Sequence, residues 1–379
     1  MRSIKYKVKE WDYSFKSMTW WDKEKMSQAK VMVIGCGALG NEVIKNLVLM
    51  NVTNIVVVDF DKVEYSNLSR SILFDQTSAE QAINKVDAIK EKVAHINDAI
   101  EIEAIHADIR FGVGLNYFKD VDVILSCVDN RLARLFINQY AFQFSTPWID
   151  GAIENISGTV KVYQKGKSCY ACSLTETERQ DIHAKLSCAD VAGHTSSYNS
   201  IPTTSIAASI IGAIQVQEAL KIIYDYQEKV MSQKLYYEGL NNVYLNYEDN
   251  GYSEDCHCGC DDVCVQQSDL TNQSSLIDLF YHIKHNCHDE DPVILLRDPY
   301  VTKIQLEQKI QPTSVSIAKH KLRAIYQQSV IILEQTDKID RTFSHRSYSL
   351  EKLGIANDDI IKYIGSEGVV KFLKLIPIS

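Results

Sequence analysis

The chain has 379 residues, 45% hydrophobic and 23% charged, with a formal net charge of −9, enough to bury a full core and expected to form two or three domains. The acidic balance argues against nonspecific binding to nucleic acid or to an anionic membrane, and no apolar run reads as a membrane span or as a signal peptide behind a basic start. The expectation is a cytoplasmic protein, whose ten cysteines read as metal ligands and a reactive thiol rather than as a disulfide framework.

Residues 1–29 form an aromatic-rich leader with Trp11, Tyr13, Phe15, Trp20 and Trp21, and Asp22 can cap a short helix running into Gln28. It reads as an arm packed over the next domain or over a partner. The stretch from Val31 to Asp61 then reads as strand, tight turn, helix and strand. The apolar run Val31 to Ile34 breaks at Gly35-Cys36-Gly37-Ala38-Leu39-Gly40, helical spacing continues through Val43, Leu47 and Met50, and Ile55 to Val58 ends on Asp59. The three glycines do different things. Gly35 makes the turn, Gly37 lets the backbone approach a phosphate, and Gly40 lets the helix pack closely. Asp59 ends the second strand, where a carboxylate accepts hydrogen bonds from a ribose. That pattern alone would also serve a dinucleotide-binding dehydrogenase.

The residues just past it favour another nucleotide. Asp59-Phe60-Asp61-Lys62-Val63-Glu64-Tyr65-Ser66-Asn67-Leu68-Ser69-Arg70 carries three carboxylates, an amide and a guanidinium. Such a set suits a nucleoside triphosphate and its metal, with acid for ribose or magnesium and Asn67 and Arg70 for phosphate oxygens. Helical spacing follows from Ser78 to Asn97, then a strand from Ile100 to Ile105 and a buried strand from Val121 to Cys127. Strands alternating with helices predict an α/β fold with a doubly wound, mostly parallel, Rossmann-like sheet. Asp129 falls at the carboxyl end of its strand, where such sheets place ligands; it could equally cap a helix from Arg131 to Phe142.

Cys169 and Cys172 make a CxxC, and Cys256, His257, Cys258 and Cys260 follow far downstream. Two distant cysteine pairs can close one tetrahedral zinc site of structural type. Between them lies a polar segment, 173–200, that reads as a loop and holds a single cysteine, Cys188, with His183 and His194 nearby. Ile201 to Ile223 is an apolar helix with small residues at Ala207, Ala208, Gly212 and Ala213. After Cys264 the spacing predicts a polar linker from Gln266 to Ser275, then strands at Pro292 to Arg297, Val330 to Glu334 and Val369 to Leu375 around a short helix from Ile317 to Tyr326. The expected organisation is an arm (1–29), a main domain (30–265) and a small α+β domain (276–379).

The run DxDxVExSNLxR after GxGxxG resembles the adenylation domain of the ubiquitin-activating superfamily of ThiF, MoeB and HesA. That superfamily includes the thiamine and molybdopterin sulfur-carrier adenylyltransferases. Asn84-Lys85-Val86, His95-Ile96-Asn97, Cys127-Val128-Asp129-Asn130, Pro147-Trp148-Ile149-Asp150-Gly151 and Gly158-Thr159-Val160 continue the likeness from Lys30 to Asn250. The resemblance implies ATP as substrate, Gly35, Gly37, Gly40, Asp59, Asp61, Asn67, Arg70 and Lys85 as its contacts, and Asp129 as the magnesium ligand. It also implies a homodimer and a ubiquitin-like partner ending in glycine. Cys188, in Leu186-Ser187-Cys188-Ala189-Asp190, resembles the thioester-forming cysteine of relatives. In the zinc site the family's second pair precedes a glycine, so Cys258 fits best, with Cys256 as its mate and Cys260, Cys264 or His257 as alternatives. The arginine that relatives carry in the leader is missing between Asp12 and Lys30. Ser349 to Asp359 resembles a corner of β-grasp domains, at a place where activating enzymes dock a conjugating enzyme. The expected function is adenylation of the carrier followed by thioester transfer; the alternatives are a sulfur-carrier adenylyltransferase without thioester, or an NAD-binding dehydrogenase.

Overall fold

The computed structural model describes residues 11, 15, 17–110, 112–178, 180, 182, 202–248, 251, 256, 263–306, 321–326, 329–343 and 346–378. They belong to two compact units: Met1–Ile109, Phe118–Ser173 and Asn199–Cys260 make the first, and Arg110–Tyr117, Leu174–Tyr198 and Asp261–Ser379 the second.

The first unit is an eight-stranded sheet in the order β3-β2-β1-β4-β5-β6-β7-β8. Its strands are β1 (Lys30–Ile34), β2 (Asn54–Asp59), β3 (Glu101–His106), β4 (Val123–Ser126), β5 (Trp148–Glu154), β6 (Ser157–Tyr163), β7 (Lys234–Glu238) and β8 (Val243–Tyr247). Strands β1 to β5 pair in parallel, and β6 to β8 continue antiparallel. The doubly wound, mostly parallel sheet expected from the alternation is therefore present. In β1, β2 and β4 nearly every residue is buried, which is why these strands read as continuous Val/Ile runs instead of alternating.

The helices are α1 (Lys23–Gln28), α2 (Ala38–Leu49), α3 (Gln76–Glu80), α4 (Lys85–Ile96), α5 (Leu115–Lys119), α6 (Arg131–Gln143) and α7 (Ser205–Ile223). Asp22 caps α1, accepting from the N–H groups of Glu24 and Lys25. The helical run from Ser78 to Asn97 is in fact two helices, because Ala82 adopts φ 48° and the chain bridges Lys62 to Asn84 before α4 begins. Thr204 caps α7 through the Ala207 N–H. At 19 residues and mean hydropathy 1.5, α7 does have the length and apolarity to cross a membrane, contrary to the expectation that no run would. Its packing against α2, β4, β5 and β6 and its buried Gln215 and Glu218 account for that composition as a core helix. Gly212 makes the approach to α2 possible, since a Cβ there would lie 3.1 Å from that of Glu42.

The second unit holds a six-stranded sheet in the order β11-β12-β10-β13-β14-β9, with a helix packed on it. It comprises β9 (Val265–Gln267), α8 (Leu276–Asn286), β10 (Val293–Leu306), β11 (Lys321–Tyr326), β12 (Ser329–Ile339), β13 (Ile360–Ile364) and β14 (Val370–Lys374). Only β9 and β14 pair in parallel. Leu276, Leu279 and Ile283 of α8 pack with Ile294, Ile361 and Leu373 of the sheet. Two expectations fail here. The polar stretch from Gln266 to Ser275 is not a linker: it holds β9 and ends in a capping box, Ser275 with Asp278, that starts α8. The helix expected to run to Tyr326 is a strand where it is described, Lys321 to Tyr326 pairing with Glu334 to Ser329, and the alternation of Leu322, Ala324 and Tyr326 with Lys321 and Arg323 fits that period. The corner at Leu353-Gly354-Ile355 is a left-handed turn, with Gly354 at φ 79°.

Candidate functional site

Strand order fixes where a ligand can sit. From β1 the chain winds outward to β2 and β3 on one side and to β4 and β5 on the other, so the carboxyl ends of β1 and β4 border the switch point of the sheet. The glycine turn follows β1 and Asp129 follows β4. The two loops touch: Gly35 has φ +95°, and a Cβ there would come within 2.6 Å of the Cys127 carbonyl oxygen. Gly40 faces back on the turn, where a Cβ would meet the Gly35 carbonyl oxygen at 1.9 Å, while over Gly37 there is open space. Gly37 caps α2 without a side-chain hydrogen bond, which leaves first-turn N–H groups outward.

Asp59 closes the turn from below. One carboxylate oxygen accepts from the Cys36 N–H at 2.6 Å and the other from the Asp61 N–H at 2.7 Å. Burial pushes this acid up, against the lowering pull of Lys85 and the two N–H groups. Lys85 opens α4 and lays its ammonium on Asp61 at 2.7 Å; its side chain is 10% exposed, that of Asp61 50%. Burial pulls the Lys85 ammonium down, but Asp59 and Asp61 outweigh it and hold the ammonium above its ordinary value.

The remaining candidates stand at the rim. Asn67 closes a 3₁₀ turn (Tyr65–Asn67), its Oδ1 accepting from the Glu64 N–H at 3.0 Å. Arg70 is half-buried and donates from one guanidinium nitrogen to the Ser66 carbonyl at 3.1 Å. Asp129 does not cap α6: Asn130 does, accepting from the Ala133 N–H at 2.8 Å, and the exposed Asp129 carboxylate receives only the Asn130 side-chain amide, at 3.3 Å.

Three buried side chains that support these loops carry no signal in the sequence. Arg134 binds Asp150 at 2.8 Å and the Val128 carbonyl at 2.7 Å, fixing the loop that carries Asp129; the pair is about 10% exposed on each side. Gln215 of α7 donates to the carbonyls of Ser126 and Ile149 at 3.0 and 3.2 Å, and a Cβ on Gly151 would displace its side-chain amide from these bonds. Asn41 bonds the turn itself, at Cys36 and Gly37. Burial, assisted by Asp59, pushes the Cys36 thiol well up, and burial with Asp150 does the same to Cys127. Neither thiol is a thiolate near neutral pH.

Away from the turn, the Sγ atoms of Cys169 and Cys172 lie 3.6 Å apart and those of Cys169 and Cys256 3.4 Å, all three within 4.8 Å of one another. Tetrahedral zinc with Zn–S bonds of about 2.3 Å would set sulfurs about 3.8 Å apart, so the group fits such an ion. Cys256, expected as the mate of Cys258, is the member of the second pair found in the cluster. Cys258, His257 and Cys260 lie outside the described residues, as does Cys188, and the exposed Cys264 lies in the second unit.

A model of the ThiF family matches residues 12–258. The chain belongs to the ThiF family. Among curated relatives, this ThiF-family chain is 32% identical over 159 residues to SUMO-activating enzyme subunit 2 of Dictyostelium discoideum, covering 41% of the chain and 24% of that protein. It is 26% identical over 276 residues to the adenylyltransferase and sulfurtransferase MOCS3 of Anopheles gambiae, covering 73% of the chain and 58% of the relative. The chain thus spans between a quarter and three-fifths of the length of these two relatives. The crystal structure of E. coli MccB with ATP shares the fold, with TM-score 0.50 and 21% identity over 63% of this chain and 69% of that one.

Proposed function

We propose that this chain uses ATP to adenylate the C-terminal carboxylate of a small ubiquitin-like protein ending in glycine. One observation carries the reading: Asn130 takes over the capping of α6, so the Asp129 carboxylate is left exposed at the switch point that the Gly35–Gly40 turn borders. A carboxylate oxygen of the partner attacks the α-phosphorus, the bond to the β-phosphate breaks, and pyrophosphate leaves. Gly37 and the first turn of α2 receive phosphate oxygens, and Arg70, Asn67 and Lys85 donate to the others. Lys85 would leave Asp61 for the more highly charged phosphate, and Asp59, which has spare lone pairs beyond its two N–H bonds, would accept from the ribose. Asp129 would hold magnesium, which when bound neutralises the charge gathering on the leaving group.

The activated carboxyl then passes to Cys188: the thiolate attacks the carbonyl carbon, AMP departs, and a thioester results. The protonated state of Cys36 and Cys127 supports a thiol from elsewhere in the chain, and the similarity to a SUMO-activating enzyme supports transfer onward to a conjugating enzyme. A second reading, sulfur-carrier activation without a thioester, is favoured by the longer match to MOCS3, which covers 73% of the chain. Pyrophosphate exchange into ATP with candidate carriers tests adenylation, and persistence of exchange in Asp129→Ala would remove the metal assignment. A thiol-sensitive adduct lost in Cys188→Ala decides for the thioester; no adduct in wild type decides for the sulfur carrier. The thiol cluster, completed by Cys258, would hold a structural zinc tying Cys169 to Cys256. Metal analysis should give about one zinc per chain, and Cys169→Ser should lower thermal stability because metal binding is coupled to folding.

A further inference from the structure

We propose that Asn41 is a positioning residue for the triphosphate, acting through the backbone of the glycine turn; the inference rests on the adenylation reading above. Asn41 is fully buried in the interior of α2, where asparagine is a poor helix former unless its amide is used. Its Nδ2 donates to the carbonyl of Cys36 at 2.8 Å and to that of Gly37 at 3.3 Å, and its backbone N–H donates to the Gly37 carbonyl at 2.9 Å. In a trans peptide the N–H points away from the C=O. Drawing these two carbonyls inward therefore turns the N–H groups of Gly37 and Ala38 outward, and among the described residues neither has an acceptor. A turn whose carbonyls pointed out would repel the anion it has to hold.

The other end of the same amide reaches a second segment. Its Oδ1 accepts from the Leu73 N–H at 2.8 Å, three residues beyond Arg70. One side chain thus sets the orientation of the turn and fastens it to the loop that supplies the guanidinium.

Binding of magnesium-ATP and of adenosine to the full chain, measured by calorimetry, separates this role from a merely structural one. Asn41→Asp keeps the shape and the acceptor for Leu73 but exchanges the donor for a carboxylate facing two carbonyls. Magnesium-ATP affinity should fall about ten- to hundredfold while adenosine affinity stays unchanged. In pyrophosphate exchange the KM for ATP should rise by the same factor and that for the carrier protein should not move. Asn41→Ala, which buries no charge, should show a smaller loss of the same kind. Unchanged ATP affinity in Asn41→Asp would overturn the proposal. So would loss of ATP and adenosine together in both variants, which would assign Asn41 to the fold alone. Failure of the wild type to bind magnesium-ATP would remove the adenylation reading itself, and this inference with it.

Discussion

In the first unit the buried carboxylate of Asp59 accepts two backbone N–H groups and still has its acid pushed up, because burial outweighs everything that lowers it. In the second unit Asp289 is 2% exposed, and burial pushes it the same way. There the bond from Lys371 at 2.8 Å and the Ser366 N–H at 3.1 Å win, and the acid lies below its ordinary value. The difference teaches what each carboxylate is for. Asp289 fastens the loop after α8 to β14 and to the turn before it, and contributes stability as an ion. At Asp59 burial works against the charge, although Lys85 and two N–H groups favour it, and a perturbed acid at the mouth of a sheet marks a candidate site more than a fastening. Two of the left-handed glycines divide in the same way: Gly35 is pressed under the Cys127 carbonyl, whereas nothing lies within 4 Å of a Cβ on Gly354.

The contrast can be broken first at Arg134. Its removal leaves Asp150 buried and unpaired, so Arg134→Met should lower the unfolding free energy of the first unit by about 3–5 kcal/mol in chemical denaturation. A cost under about 1 kcal/mol would mean that the loop carrying Asp129 is not held by this pair. Next come the lysines. Lys85→Ala should reduce pyrophosphate exchange about 10²–10³-fold, whereas Lys371→Ala should leave exchange unchanged and affect only stability. Equal loss in both would erase the distinction between a site and a fastening.

A smaller effect is expected at Asp289. Because its folded pKa is depressed, its contribution is present above the ordinary carboxylate value of about 3.9 and is lost as pH falls through the folded value. Asp289→Asn should therefore lower stability by about 1–3 kcal/mol at neutral pH, and wild type and variant should converge in acid. A pH-independent difference would show that charge is not the cause. Smallest of all, Gly354→Ala carries only the left-handed strain of about 1–2 kcal/mol, while Gly35→Ala adds a collision and should also abolish exchange.

The sequence made the β1-α2-β2 unit legible because its signals are local: two apolar runs, a helical period and three glycines, of which Gly35 and Gly40 have a steric reason in the structure while a Cβ on Gly37 would meet nothing. Asp59 and Asp129 could be found in the same way, from their places at strand ends, whereas Lys85 comes only through the resemblance. What could not be read were the partners of Asn41, Arg134 and Gln215. Gln215 bonds the Ser126 carbonyl across 89 positions and the Asn41 Oδ1 accepts from Leu73 across 32, pairings that only the folded chain brings together. Asp129 is the expected alternative cap of α6, and only the hydrogen bond from the Ala133 N–H to Asn130 shows that the next residue takes that place. In the second unit the order of six strands follows from long-range pairing with weak local signs, and a polar capping box at Ser275 passed for a linker.

Cys169 and Cys256 stand 87 positions apart, and this has a consequence for synthesis. A ribosome adding about 5–20 residues per second brings out the first cysteine pair roughly 4–17 s before the thiol that joins it. During that interval α7, β7 and β8 are made while Cys169 and Cys172 stand without their third member. The cluster of the three thiols is thus complete only after all eight strands of the sheet have been made.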